Sequence, residues 1–236
     1  MGSGSERTVL VADDGNRFAA TVARTREPAS AGVVVIPDVR GLHRYYERLA
    51  GHLADAGIHA LAIDPYGRTA GAQHREDGFD HAPHRAAVSD EGVRTDVRTA
   101  AGILRNDGAT RVITMGFCFG GRASLMQASQ QHVDGAIAFY GSPTRRDEGE
   151  RSPMDEAEEG LVRAPVLGLY GGADRGIAVS DVEAYDRALD AAGIEHRIVV
   201  YPDAPHSFFD RTMSDHTETC RDAWARVLGF VDGIAR

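Results

Sequence analysis

Only two cysteines, Cys118 and Cys220, occur in 236 residues. That is too few for a disulfide framework, and the plain expectation is a pair of reduced thiols in a cytoplasmic protein. No run approaches the roughly 18 consecutive apolar residues needed to cross a bilayer. The opening stretch, MGSGSERTVL, lacks the apolar core of a signal peptide, and residues 1–6 read as a tag-like or disordered terminus. Positive charge is also in short supply: 26 Lys and Arg stand against 35 Asp and Glu, for a formal net charge of −9. Non-specific nucleic-acid binding needs a basic patch, so no nucleic acid and no membrane is expected as partner. A small anionic substrate stays open, because one local arginine can dominate a cleft. No internal repeat and no Pro/Ser-rich linker is found, and the oligomeric expectation is a monomer or homodimer.

What is present is an alternation. Short apolar or β-branched runs at 32–37, 58–64, 111–116, 134–141, 164–172 and 196–202 each close on Gly, Pro or Asp. Several are apolar at consecutive positions, as in parallel strands buried on both faces. Helical patterns lie between them at 45–57, 90–107, 179–193 and 215–235. RTVLVAD and NRFAATVAR read as an antiparallel hairpin at the first edge of the sheet. The expected architecture is α/β: a mostly parallel, doubly wound sheet with an amino-terminal antiparallel edge hairpin, in a single domain over 7–236. Two polar stretches, 66–89 and 142–160, follow strands and so belong above the carboxyl ends of a parallel sheet, where open α/β sheets bind ligands.

The stretch GFCFGG, 116–121, joins the strand at 111–116 to a helix at about 119–131. A turn this tight puts its central residue into a strained backbone and needs small neighbours, hence Gly116 and Gly120. It holds Cys118 clear of the sheet beside a helix amino end, where N–H groups and the helix dipole favour negative charge. This is a thiol version of the G-x-S-x-G nucleophile elbow. A buried, inert cysteine in a glycine-rich turn is the plainer alternative. The rest of a triad falls in the order that such folds use: Asp174 just past a strand end in LYGGADRG, then His206 after the last strand in PDAPHSFFD. Taken singly, Asp174 could cap the helix near Val179, and His206 is one of ten histidines. Order, strand-end position and glycine context together favour the triad.

These three motifs, together with VVVIPDVRGLHRYYERLAGHLADAGIHALAIDPYGR at 33–68, resemble the dienelactone hydrolases over most of the chain. The resemblance implies a single-domain α/β-hydrolase fold. It also implies a Cys-Asp-His triad and hydrolysis of lactones or related esters without metal or cofactor. By position, Cys118 is then the nucleophile, His206 the base and Asp174 its orienter, with the N–H groups of Phe119 and Val39 as the oxyanion hole. The family often has glutamate before that second donor, where this chain has the shorter Asp38. For arginines that grip a substrate carboxylate, Arg211 is spaced one residue off the family position. Arg75 and Arg85 are both candidates for the other, and Arg40 is a local novelty beside the expected hole.

Tyr140, closing AIAFYG, is expected to line the cleft or simply to pack. The histidines and acids of HREDGFDHAPH match no metal-ligand spacing, so no metal is expected. The expected partner is a small lactone or ester, carboxylated or not. Two alternatives stay open: a thioesterase or acyl transferase on the same fold, and a non-catalytic, redox-sensing thiol protein.

Overall fold

The computed structural model describes residues 5–76, 78–147 and 149–235. The described residues form eight strands and divide into two compact units, one of the described residues up to Thr114 with Ala235, the other of those from Met115 to Ile234. The chain passes from one unit to the other within the strand at 111–117. Residues 1–4 of the tag-like stretch lie outside the described residues. Ser5 and Glu6 do not belong to a loose end; they pair with Ala23 and Val22.

The first unit orders its strands β1 (Ser5–Val11), β2 (Arg17–Ala23), β4 (His59–Ile63) and β3 (Ala31–Ile36). The β1–β2 hairpin is antiparallel and joins β4 antiparallel, whereas β3 and β4 run parallel. β3 is buried at every position, as its unbroken apolar run requires. α1 (Arg44–Asp55) buries Tyr46, Leu49, Ala50, Leu53 and Ala54, the i, i+3, i+4, i+7, i+8 stripe of an amphipathic helix. The stretch 66–89, expected as polar loop, contains two short helices, α2 (Gly67–Ala70) and α3 (Ala82–Ala86). α4 (Asp90–Asn106) follows, with Ser89 accepting the Gly92 N–H as its amino-terminal cap.

The second unit orders β5 (Arg111–Phe117), β6 (Gly135–Phe139), β7 (Val166–Gly171) and β8 (His196–Tyr201), with β6, β7 and β8 parallel. α5 (Phe119–Gln127) is buried along its whole length. α6 (Pro153–Glu158) lies in the stretch expected as loop and is started by a capping box of Ser152 and Asp155. α7 (Val179–Ala191) supplies Tyr185 and Leu189 to a core shared with Leu125, Ala138 and Val166. α8 (Thr217–Ala235) buries Cys220, Ala223, Val227 and Val231. Among the described residues no helix is long and apolar enough to cross a membrane.

Candidate active site

The turn after β5 places Cys118 at φ 53°, in the left-handed region that costs a side-chain-bearing residue ~1–2 kcal/mol. Its neighbours explain how that conformation is held. A Cβ on Gly116 would run into the Gly120 carbonyl, and one on Gly121 would lie 2.7 Å from the Phe139 carbonyl. The Cys118 N–H donates to the Phe139 oxygen at 3.0 Å, tying the turn to the end of β6. Phe119 opens α5 directly after the cysteine, so the thiol stands at a helix amino terminus.

Asp174 sits three residues past β7 with its side chain 2% exposed. Its Oδ1 accepts the N–H groups of Gly176 at 2.7 Å and Ile177 at 3.2 Å, and its Oδ2 lies 2.6 Å from His206 Nδ1. Burial opposes its charge, but these bonds outweigh burial and hold the carboxyl below the usual carboxylate range. His206 lies in the loop after β8. Burial pulls the imidazole down, yet hydrogen bonds to Asp174 and to the Cys118 thiol prevail and carry it up to about 10. The ring is therefore held by the Asp174 carboxylate at Nδ1, and Cys118 adds to the upward pull on it. Cys118, Asp174 and His206, far apart in sequence, are brought together within the second unit.

An aromatic ring packs against the imidazole. Tyr140 lies tilted at 4.9 Å from the His206 ring and meets Phe208 edge-on at 5.5 Å. Among the described residues, the non-glycine residues at positive φ are Cys118, Tyr140 and Ser207, each a member or neighbour of this cluster. Backbone strain of this kind concentrates at functional sites. The Ser207 carbonyl accepts the N–H groups of Asp210 at 3.1 Å and Arg211 at 3.0 Å, which fastens the histidine loop. Arg211 itself is exposed.

The other expected site residues belong to the first unit. Asp38 and Arg40 form a forked pair there: Arg40 Nε reaches Asp38 Oδ1 at 3.1 Å and Oδ2 at 2.9 Å, and Arg40 N–H donates to Oδ1 at 2.8 Å. The segment is fixed from two more sides, since the Asp38 N–H donates to the Tyr46 hydroxyl oxygen and Tyr66 Oη donates to the Val39 carbonyl. Arg85 stands half-buried on α3. Arg75 is committed elsewhere. Its guanidinium bonds Asp64 Oδ2 at 2.6 Å and the Gly71 carbonyl at 2.7 Å, and lies 4.7 Å over the Phe79 ring. His74, within the stretch weighed for metal, pairs instead with Glu47 at 2.7 Å.

Elsewhere in the second unit, Asp186, Asp190 and His196 bring ligand atoms within 4.8 Å of one another, a geometry that a divalent cation can occupy. The side chain of His196 is already paired with Asp186 at 3.2 Å. Sequence reasoning missed Ser207 and Arg122. Ser207 left no signal, whereas Arg122 was visible as a lone charge in an otherwise small and apolar helix start.

The model of the dienelactone hydrolase family matches residues 18–234. A Yersinia pestis protein named "Putative carboxymethylenebutenolidase" is 34% identical over 84% of this chain and 76% of its own. One of the same name from Saccharolobus solfataricus is 25% identical over 98% of this chain and 100% of its own. Among solved structures, a Klebsiella pneumoniae protein titled "Putative Dienelactone Hydrolase" superposes with TM-score 0.86 at 28% identity, covering 98% of this chain and 99% of that one.

Proposed function

The chain belongs to the dienelactone hydrolase family, and from that premise we propose that it opens lactones and cleaves small activated carboxylic esters through an acyl-cysteine intermediate. That it is a hydrolase of lactones or esters follows from the family; the cysteine mechanism is our reading of the site. One observation carries it: the imidazole paired with Asp174 Oδ2 at 2.6 Å is also pulled upward by Cys118, which stands at the amino end of α5.

In this reading His206 takes the thiol proton, and Asp174 fixes the ring with Nδ1–H toward the carboxylate, leaving Nε2 for the proton in transit. The thiolate attacks the acyl carbon, and the tetrahedral oxyanion is met by backbone N–H, of which Phe119 at the start of α5 is the donor we assign in this unit. Collapse breaks the C–O bond and expels the alkoxide or enolate, which the imidazolium protonates. In the acyl-enzyme the thiolate is gone, and with it one of the interactions that hold the imidazolium charged. The ring then titrates lower, so more of it is unprotonated at neutral pH and available to take the proton of the water that releases the acid. A thiolate leaves easily, so the chemistry suits substrates whose leaving group is comparably stable, such as enol lactones and aryl esters. Amides, whose nitrogen must be protonated to depart, are a poor match.

The test is pre-steady-state. Mixing with an activated aryl ester should release a burst of chromophore equal to the enzyme concentration, and Cys118→Ala should abolish it. Full turnover by Cys118→Ala would end this reading. Rates on lactones, aryl esters and acyl thioesters, compared as kcat/KM, separate it from a thioesterase.

A further inference from the structure

α5 begins with small or apolar residues, FGG, and then places a charge at Arg122. That side chain is among the largest fully buried ones in the protein, with the residue 2% exposed. A guanidinium is not buried without partners, because an uncompensated buried charge is strongly destabilising. Arg122 Nε donates to the Arg145 carbonyl at 2.7 Å, and Nη2 donates to the Arg151 carbonyl at 2.9 Å. One planar fork thus grips both ends of the segment 145–151.

The position of that segment gives the grip a purpose. It follows β6, which lies between the strand carrying Cys118 and the strand leading to Asp174. The chain leaves β6 through Tyr140, whose ring meets His206. It then passes Gly141, where a Cβ would collide with Gly121 and the Arg122 nitrogen. From there Ser142 Oγ accepts the Arg145 N–H at 3.2 Å, and Thr144 Oγ1 donates to Asp181 Oδ2 at 3.3 Å. The loop therefore leaves the sheet between the strand that carries the nucleophile and the strand that leads to the acid.

We infer that Arg122 is a positioning residue: from the helix that begins at the nucleophile, it fixes the described loop residues 141–147 and 149–152 as a wall of the substrate site. Its backbone belongs to the elbow, since its N–H donates to the Cys118 carbonyl at 3.1 Å. Its side chain belongs to the wall. The same residue thereby sets the register of one against the other. Lysine cannot replace it fully, because a single ammonium lacks the fork that spans two carbonyls.

The inference rests on the proposed reading for its consequence in catalysis, but not for its structural core, and the experiment separates the two. Arg122→Met and Arg122→Lys are compared with the unaltered chain by kcat and KM on aryl esters, by the rate of Cys118 alkylation with iodoacetamide, and by amide hydrogen exchange over 141–152. Arg122→Met is expected to raise KM about tenfold, with kcat within about threefold, as loss of substrate positioning does. Alkylation should change less than about twofold, and exchange in the loop should quicken by at least about tenfold. Arg122→Lys should fall between, and it carries the test alone if the methionine variant does not fold. Unchanged loop exchange in a folded variant overturns the inference. So does a fall in kcat and alkylation together at constant KM, which would place the effect on the nucleophile. If the unaltered chain turned over no ester, the proposed function would fail, while loop exchange would still decide the role of Arg122.

Discussion

His206 is one residue through which pH acts on this protein. Its folded value, about 10, lies above the ordinary 6.5 because Asp174 and Cys118 outweigh burial. The stability it contributes is therefore present in full below about pH 6.5 and is lost as pH rises through about 10. Replacing Asp174 by Asn removes the largest interaction that raises the ring. We expect its titration, followed by the His206 ring resonances, to move down toward the ordinary value. The same variant should lose ~10²–10⁴ in kcat, the usual worth of a correctly held acid–base group. A ring that still titrates near 10 in Asp174→Asn would contradict the assignment of cause. His206→Ala should cost at least as much in rate. The residue types of the proposed triad and their order were legible in the sequence because each sits in a glycine- or proline-marked turn. The strain at Tyr140 and Ser207 was not, since nothing in a sequence states φ for a tyrosine or a serine.

At the scale of elements, the elbow makes the sharpest prediction. A methyl group at Gly116 has to enter the space of the Gly120 carbonyl, which is backbone and cannot swing aside. Gly116→Ala should cost about 1–3 kcal/mol or more in urea unfolding, as overpacking does. Near-unaltered stability would mean that the turn is looser than described. The buried pair of Arg75 and Asp64, with side chains 4% and 0% exposed, is the counterpart in the first unit. Arg75→Met leaves the Asp64 carboxylate short of a partner and should destabilise by ~3–5 kcal/mol, read as a lower urea midpoint. Arg75 was legible as a cation in a polar stretch, and so a candidate for substrate, because its partner lies eleven positions back at the end of a strand. The same limit applied to α2, α3 and α6. Helices of four to six residues have too few turns to show an apolar period. The long runs β3, β4, β6 and β7 were legible because burial on both faces writes itself as consecutive apolar residues.

Over the whole molecule the formal charge of −9 sets the far field. That field slows the approach of an anionic ester relative to a neutral one of the same shape, and salt screens it. The Debye length shrinks from about 30 Å at 10 mM to about 8 Å at 150 mM. The ratio of kcat/KM for a carboxylated over a neutral aryl ester should accordingly rise, by about twofold, across that range. A falling ratio would show that local cations, not the net charge, govern encounter. The expected α/β class with its amino-terminal hairpin is what the strands form. The division into two compact units was not legible, because it depends on which strands and helices touch rather than on any linker in the chain.

The central claim is that Cys118 becomes acylated during turnover. Rapid acid quench of the enzyme with an activated ester, followed by peptide mass analysis, tests it most directly. The account predicts the acyl mass on the peptide carrying Cys118, formed within the burst and longer-lived in His206→Ala. Steady hydrolysis with Cys118 unmodified at every time point would contradict it.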